Sequence, residues 1–190
     1  MDLKSIFARV KGIIVAPVNE WVAIVNEEKS QKKLLLGYLL PLALVAAVAT
    51  FIGYTLVGED NPLGRIIGPM WGLKYAILEL VNLVLGVYLC AFIVAFFAPG
   101  FGAVKNFRKA FSLVVYSYTP MLAAGILNIF PFLGFVTLLA GIYSLYILYI
   151  GLKPMIGVPN EKTTTFFIIV LVTAVVINSV VPMVFMKLFF

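Results

Sequence analysis

The sequence has no histidine and a single cysteine, Cys90, among its 190 residues. Zinc sites use histidine and cysteine ligands, so zinc sites of the usual kind are excluded. The same counts exclude catalytic groups of the Ser-His-Asp and Cys-His types. Cys90 has no second cysteine with which to form an internal disulfide, and we interpret it as a small apolar packing residue. We therefore expect no metal, no cofactor and no enzymatic activity.

Charged residues are also scarce, at 12% of the chain against about a quarter of an average soluble domain. Hydrophobic residues make up 63%, more than a soluble fold of this length can bury. The formal net charge is +6, but the basic residues lie between apolar segments and form no nucleic-acid-binding motif. We therefore expect no nucleic-acid partner, and the composition predicts an integral membrane protein.

Long apolar segments follow one another from residue 34 onward. Each is long enough to cross a hydrocarbon core of about 30 Å at a helical rise of about 1.5 Å per residue. None alternates polar and apolar residues as a membrane β-strand would. We predict an all-α transmembrane domain at 34–190, a bundle of five transmembrane helices with spans at about 34–57, 73–98, 110–130, 132–152 and 165–186.

Residues 1–33 are mixed in character, and we predict a cytoplasmic, interfacial segment. Apolar and basic side chains recur there at helical spacing, a pattern typical of an amphipathic helix in the headgroup region. Tryptophan is also common at that interface. We therefore predict lipid-interface contacts for Ile6, Phe7, Lys11 and Trp21. A disordered, partly apolar tail remains the alternative.

The basic residues outside the spans indicate an orientation. With the N-terminus inside, eleven of the 14 lysines and arginines fall on the inner side and three on the outer side. This asymmetry follows the positive-inside rule. It predicts a cytoplasmic N-terminus and an external C-terminus, and it favours an odd number of spans. The expected partners are the lipid bilayer and its anionic headgroups.

Polar side chains inside the predicted spans are the candidate functional residues. Glu79 is the one acidic residue within a span, and an ionisable group at such depth is a functional candidate by default. Asn82, Tyr116 and Asn178 are its candidate partners. Two interpretations stay open. The group forms a mid-bundle site in which Glu79 carries protons or cations, or it ties helices together through hydrogen bonds of about 0.6–2 kcal/mol each.

Several short motifs resemble those of one family. They are Pro17, Glu20–Trp21, Tyr38–Leu42, Tyr116–Pro120, Phe130–Gly134, Ile142–Leu145 and Tyr149–Lys153. Over most of its length the chain resembles the Yip family of Ypt/Rab-interacting membrane proteins. The resemblance implies a five-span bundle with a cytosolic N-terminus. Eukaryotic members are linked to Rab GTPases and carry a longer N-terminal region, so the resemblance implies a short prokaryotic-type member in the inner membrane.

These observations lead to two functional hypotheses. The first is a non-enzymatic membrane scaffold that organises the bilayer or binds a membrane or cytoplasmic protein through its N-terminal segment and basic loops. The alternative is a small transporter or channel for protons or cations that uses Glu79. A homo-oligomer is compatible with either hypothesis. The sequence has no visible inverted repeat, which counts against a secondary transporter.

Overall fold

The computed structural model describes residues 2–27, 30–62 and 64–189, and most of them are helical. The α-helices within these residues are α1 (Leu3–Val15), α2 (Pro17–Val25), α3 (Gln31–Leu34), α4 (Leu40–Ile52), α5 (Pro69–Phe97), α6 (Phe107–Ser117), α7 (Thr119–Ala124), α8 (Gly134–Ile156) and α9 (Asn160–Phe189). Two π-helical turns, Leu35–Leu39 and Gly53–Val57, flank α4. Short 3-10 segments lie at Ala98–Phe101, Gly125–Ile129 and Pro131–Leu133.

Several helical segments are long and apolar enough to cross a bilayer. In the described residues there are four of them, at Gln31–Val57, Pro69–Phe101, Pro131–Ile156 and Asn160–Phe185. A bent pair, Phe107–Ser117 with Thr119–Ile129, gives a fifth when it is counted as one span. This confirms the predicted all-α membrane fold.

Polar residues extend the spans beyond the apolar runs. The Ser30 hydroxyl accepts a hydrogen bond from the Lys33 N–H at 3.3 Å, so Lys33 lies in the first helical turn and not in a loop. The fourth span continues through Lys153 and Pro154 to Gly157, whose φ of +78° suits a helix end. Lysine side chains near a helix end can reach the headgroups. Hydropathy alone therefore underestimates the length of these helices.

Prolines account for two irregularities of the spans, one π-helical turn and one bend. Pro41 has no N–H to donate, and the turn before it widens into a π-helix in which the Leu40 N–H bonds to the Leu35 carbonyl. Pro120 likewise cannot bond to the Tyr116 carbonyl, and the third span bends there by 40°. The predicted span at 110–130 is thus two helices and a 3-10 segment.

The polar loop after the first span contains a short β-hairpin that the sequence did not predict. Strand β1 (Glu59–Asn61) pairs antiparallel with β2 (Gly64–Ile66), and Glu59 lies opposite Ile66. Strands of three residues are too short to show an alternating pattern in the sequence. We call this end of the bundle the hairpin end.

The opposite end of the bundle carries most of the exposed basic residues, and we call it the basic end. Its loops lie side by side, because Lys32 and Arg108 line one polar pocket while Lys109 and Met155 line another. The exposed basic side chains there are Lys32, Lys33, Lys105, Arg108, Lys109, Lys153 and Lys162. The fold therefore gathers cations from three separate parts of the sequence.

Helices α1 and α2 form a two-helix unit that packs against the bundle, and we call it the N-terminal unit. The Asp2 carboxylate caps α1 by accepting the Ser5 N–H at 3.0 Å. Pro17 then begins α2, as expected for a residue whose φ suits the first helical position. The side chains of Ile13, Trp21 and Ile24 are almost fully buried, so one face of the unit belongs to the protein core.

Candidate functional site

Hydrogen bonds between α8 and the N-terminal unit hold the unit in place. The Tyr143 hydroxyl donates to the Ile14 carbonyl at 2.8 Å, one of the last carbonyls of α1, which lack a partner within the helix. The Trp21 indole N–H donates to the Ile147 carbonyl at 3.2 Å. A Cβ on Gly151 would lie 2.6 Å from the Trp21 ring, so the absence of a side chain there makes room for the indole.

This packing corrects part of the predicted lipid interface. Ile6 is 8% exposed and Trp21 is 2% exposed, so both contact protein where lipid contact was predicted. Phe7 is 72% exposed and Lys11 is also exposed, as a lipid-facing position requires. Helical spacing predicts that one face of α1 is apolar, but it does not tell whether protein or lipid covers that face.

An ion cluster lies between the two helices of the N-terminal unit. The Arg9 guanidinium donates to the Glu20 carboxylate at 2.6 Å and also to the Glu27 carboxylate. The Arg9 side chain is 12% exposed, and those of Glu20 and Glu27 are 23% and 29% exposed. One guanidinium thus binds two largely buried carboxylates, so the hydrogen bonds are charge-assisted on both sides.

Aromatic rings surround this ion cluster. The Arg9 guanidinium carbon lies 5.5 Å from the centre of the Tyr116 ring, within range of a cation–π interaction. Trp21 and Tyr38 meet the Tyr116 ring edge to face, at centroid distances of 6.5 and 5.2 Å. The Tyr38 hydroxyl also bonds to the Thr119 hydroxyl at 2.9 Å. These contacts join the N-terminal unit to the first and third spans.

We call this group the N-terminal cluster, and it consists of Arg9, Glu20, Trp21, Glu27, Tyr38 and Tyr116. Tyr116 is buried, at nine residues from the start of α6, or about 14 Å of helical rise. The cluster therefore lies below the basic end and not on its surface. Tyr116 was predicted to accompany Glu79, but its neighbours are the charges of the N-terminal unit.

A second polar group surrounds Glu79, and we call it the Glu79 cluster: Thr50, Glu79, Asn128 and Thr137. Glu79 is half-buried and lies within hydrogen-bond reach of Asn128. The Asn128 amide donates to the Thr50 hydroxyl at 3.0 Å and accepts from the Thr137 hydroxyl at 3.3 Å. The Thr50 hydroxyl donates in turn to the Ala46 carbonyl at 3.0 Å. Four spans thus contribute to one hydrogen-bonded group.

The other predicted partners of Glu79 are placed differently. Asn82 lies one turn further along α5, and its side-chain oxygen is buried with no hydrogen-bond partner among the described residues. The backbone of Asn178 belongs to α9, but its side chain lies outside the described residues. The structure therefore brings Glu79 together with Asn128, which the sequence reasoning did not single out.

The two clusters are separate sites. Tyr116 and Asn128 both belong to the third span, twelve residues apart, or about 18 Å at helical rise. Between them, Gly125 packs so closely on the first span that an added Cβ would lie 2.5 Å from the Ala46 Cβ. The predicted single mid-bundle site is thus two sites with tight apolar packing between them.

Three of the important residues had signals in the sequence. Asn128 is a lone amide in an apolar run, which marks an interhelical hydrogen bond or a site. Glu20 and Glu27 are seven residues apart, a spacing that places two acids on one helical face. Nothing in the sequence, however, indicates that Arg9 is the partner of both.

The family follows from a comparison with known proteins. The Yip1 domain profile matches residues 11–181 of the chain. The chain belongs to the Yip1 domain family. It is also similar to the inner membrane protein YohC of Escherichia coli K12, with 22% identity over 164 residues that cover 84% of each chain. YohC of Escherichia coli O6:H1 matches with the same identity and coverage. No solved structure matches the chain.

Membership in the Yip1 family confirms the resemblance inferred from the motifs. Together with the apolar helices, it establishes a multi-pass integral membrane protein. The matched region includes Glu20, Trp21, Glu79 and Tyr116, so both clusters lie almost wholly within the Yip1 domain. Arg9 precedes the match by two residues. The N-terminal unit is therefore for the most part a component of the domain.

Proposed function

We propose that this Yip1-family protein is a non-catalytic membrane scaffold. Its basic end would bind anionic lipid headgroups, and the outer face of its N-terminal unit would contact lipid or a membrane or cytoplasmic protein. The observation that carries this proposal is the two-sided character of the unit. One face is buried in the bundle, while Leu3, Phe7, Val18 and Val22 on the other side are 59–83% exposed.

Charge supports the lipid part of the proposal. The basic end exposes lysines and arginines from three parts of the sequence, and each such residue near an anionic bilayer surface contributes about 1 kcal/mol of attraction. The same asymmetry supports a cytoplasmic N-terminus and an external C-terminus, because basic loops are retained on the cytoplasmic side. The name of the similar Escherichia coli protein supports placement in a bacterial inner membrane.

A lipid-binding experiment tests the scaffold. The full-length protein is reconstituted in nanodiscs of phosphatidylcholine mixed with phosphatidylglycerol, and the enrichment of phosphatidylglycerol around it is measured after re-isolation. We expect the triple variant K105Q/R108Q/K109Q to lose most of the enrichment. The matched control is Lys187→Gln, which removes one exposed charge near the C-terminus, far along α9 from the basic end.

The outcomes of this experiment distinguish the proposal from its alternatives. Equal enrichment in the wild type, the triple variant and Lys187→Gln, with all three proteins folded, would remove the basic end from the proposal. A loss of enrichment in Lys187→Gln alone would reverse the expected assignment of ends. Selective loss in the triple variant would support the scaffold and its lipid binding at the basic end.

A second candidate function, transport of protons or cations, is favoured by the interior position of Glu79. A half-buried carboxylate beside an amide and two hydroxyls has the chemistry of an ion-binding group. We rank it second because the same contacts serve as interhelical hydrogen bonds. Flux through proteoliposomes under an imposed proton or sodium gradient tests it. Flux that Glu79→Gln abolishes would establish transport, and no flux through folded protein would exclude it.

A further inference from the structure

A groove runs along one side of α8, and residues of α5, α6, α7 and α9 also line it. Its volume is about 330 Å³, within the range of small-molecule sites, which begins at about 300 Å³. Met121, Leu145 and Leu148 form part of an almost wholly apolar lining, and Leu138 and Ile142 at its edge are 67% and 58% exposed. The groove therefore opens sideways on the surface of the bundle.

Two glycines of α8 leave open space along this groove. A Cβ added to Gly134 or to Gly141 would meet no heavy atom within 4 Å. Glycines in membrane helices usually allow two helices to approach closely, and Gly125 serves that purpose against Ala46. Gly134 and Gly141 instead border open space, so their effect is to make room alongside α8.

Ser144 brings a buried, unpaired hydroxyl to the wall of this apolar groove. The residue is 6% exposed, its side chain lines the groove, and its Oγ has no hydrogen-bond partner among the residues that the structure describes. Four other hydroxyls in the spans bond to the carbonyl four residues earlier, a common arrangement for serine and threonine inside a helix. They are Thr50, Ser117, Thr173 and Ser179, with distances of 2.8–3.0 Å.

The depth of Ser144 restricts what can bond to it. It lies 13 residues from Pro131 and 12 from Ile156, the two ends of the fourth span, and so about 18–20 Å of helical rise from either end. That is the middle of a hydrocarbon core of about 30 Å. A water molecule needs two to four polar partners, and the accessible surface of this lining is almost wholly apolar.

We propose that the groove binds a neutral carbonyl lipid of the isoprenoid quinone class. A ring carbonyl would accept a hydrogen bond from the Ser144 hydroxyl, and the chain would lie over Gly141 and Gly134. The lining residues of α8 extend from Gly134 to Leu148, a helical rise of about 21 Å. Tyr118 and Met121 also line the groove and offer an aromatic ring and a thioether, both suited to contact with a flat ring.

Other membrane components fit this groove less well. The ester carbonyls of a phospholipid stay near its charged headgroup at the interface, far from Ser144. A fatty-acid carboxylate at this depth would need a cation, and the groove lining contains none. A neutral carbonyl lipid brings an acceptor to mid-membrane without a charge.

A tryptophan reporter in the groove tests the proposal with the full-length protein. Leu138→Trp places the reporter in the lining, and Leu139→Trp places it at the next position of α8, which is also exposed but does not line the groove. Decylubiquinone, which quenches tryptophan on contact, is titrated into phosphatidylcholine nanodiscs. After subtraction of the wild-type signal from Trp21 and Trp71, we expect saturable quenching at position 138 and quenching that rises in proportion to bulk quinone at position 139.

Further substitutions in the Leu138→Trp protein test whether Ser144 donates the hydrogen bond to the quinone. Ser144→Ala should weaken apparent affinity about fivefold, the effect of one net hydrogen bond. Ser117→Ala is the matched control, because this hydroxyl lines the same groove but is already bonded to the Leu113 carbonyl. Gly141→Leu should abolish saturation by filling the groove. Thermal unfolding of each variant verifies that it is folded.

Four results would overturn the proposal. They are non-saturable quenching at position 138, equal effects of Ser144→Ala and Ser117→Ala, displacement of the quinone by added phosphatidylglycerol, and a change in oligomeric state on Gly141→Leu without saturable quenching. The third would assign the groove to phospholipid chains, and the fourth to a second copy of the chain. If Gly141→Leu does not fold, the comparison of Ser144→Ala with Ser117→Ala still tests whether the groove binds the quinone through Ser144.

Discussion

The N-terminal cluster and the Glu79 cluster both place carboxylates inside the helical bundle, but they balance the charge in different ways. In the N-terminal cluster, Arg9 bonds to both Glu20 and Glu27 and faces an aromatic ring. In the Glu79 cluster, the contacts of the carboxylate come from an amide, which is itself bonded to two hydroxyls. Ion pairing thus dominates the first cluster and neutral hydrogen bonding the second.

This difference in charge balance indicates a structural role for the N-terminal cluster and makes Glu79 the candidate functional group. Charges that are paired with opposite charges hold two elements in register, and removing one partner leaves the other buried at a large cost. A carboxylate held by neutral groups is more readily altered by a proton or a cation, because no fixed cation competes for it. We therefore assign the N-terminal cluster to the attachment of the N-terminal unit, and Glu79 to the transport test.

Replacing Arg9 should lower the free energy of unfolding more than any of the substitutions that follow. Arg9→Leu leaves Glu20 and Glu27 near one another without their shared cation, so we expect a loss of about 3 kcal/mol of unfolding free energy, as for other broken buried pairs. The measurement is unfolding in mixed micelles titrated with a denaturing detergent. Arg9→Lys should restore part of the loss, because it keeps the charge but not the planar fork.

A triple variant distinguishes charge from packing at this site. R9L/E20L/E27L removes all three charges, and apolar replacements of a complete ionic group are often neutral. We expect it to be more stable than Arg9→Leu alone. If the triple variant loses as much as Arg9→Leu, then the loss of the shared cation is not the reason for the instability.

Gly53→Ala should disrupt the Glu79 cluster from the backbone side. A Cβ at this position would lie 2.1 Å from the Asn128 carbonyl oxygen, so the third span must move away from the first. We expect a loss of about 2–3 kcal/mol, typical of overpacking, in the same micelle titration. Gly134→Ala meets no atom within 4 Å and should leave the stability unchanged. Equal stability of the two variants would contradict the close approach.

Neighbouring positions in α1 test which face of the N-terminal unit meets the bundle. Ile6→Ala removes a side chain that is 8% exposed and should cost about 2 kcal/mol, the low end for such a deletion. Phe7→Ala removes one that is 72% exposed and should leave the stability in micelles nearly unchanged. A larger loss for Phe7→Ala than for Ile6→Ala would favour the interfacial arrangement predicted from the sequence.

The smallest expected effect is a pH dependence at the start of α1. Hydrogen bonds from the Ser5 side chain and backbone hold the pKa of the Asp2 carboxyl below its ordinary value of 3.8. A lowered pKa in the folded state means that this contribution is complete above the ordinary pKa and is lost as the pH falls through the lowered one. Hydrogen exchange of the first-turn amides of α1 should therefore speed up at acidic pH, after correction for intrinsic rates. In Asp2→Asn this change should disappear.

The elements were predictable to different degrees. Hydropathy located the spans to within five residues, because a bilayer requires long apolar helices. It missed the bend at Pro120 and the β-hairpin, which depend on single residues and on very short strands. Glu79 and Tyr116 were singled out as intramembrane polar residues, but their partners were not, since partners in the bundle come from distant parts of the sequence.

The sequence by itself determined the class of protein, its helical spans, the inventory of polar groups and the motifs of the Yip1 family. Tertiary structure decided that Ile6 and Trp21 face the bundle, that Arg9 bonds to Glu20 and Glu27, and that Asn128 accompanies Glu79. The physical reason is that lipid chains are as apolar as a protein core. An apolar helix face is therefore equally suited to either environment, and only packing selects between them.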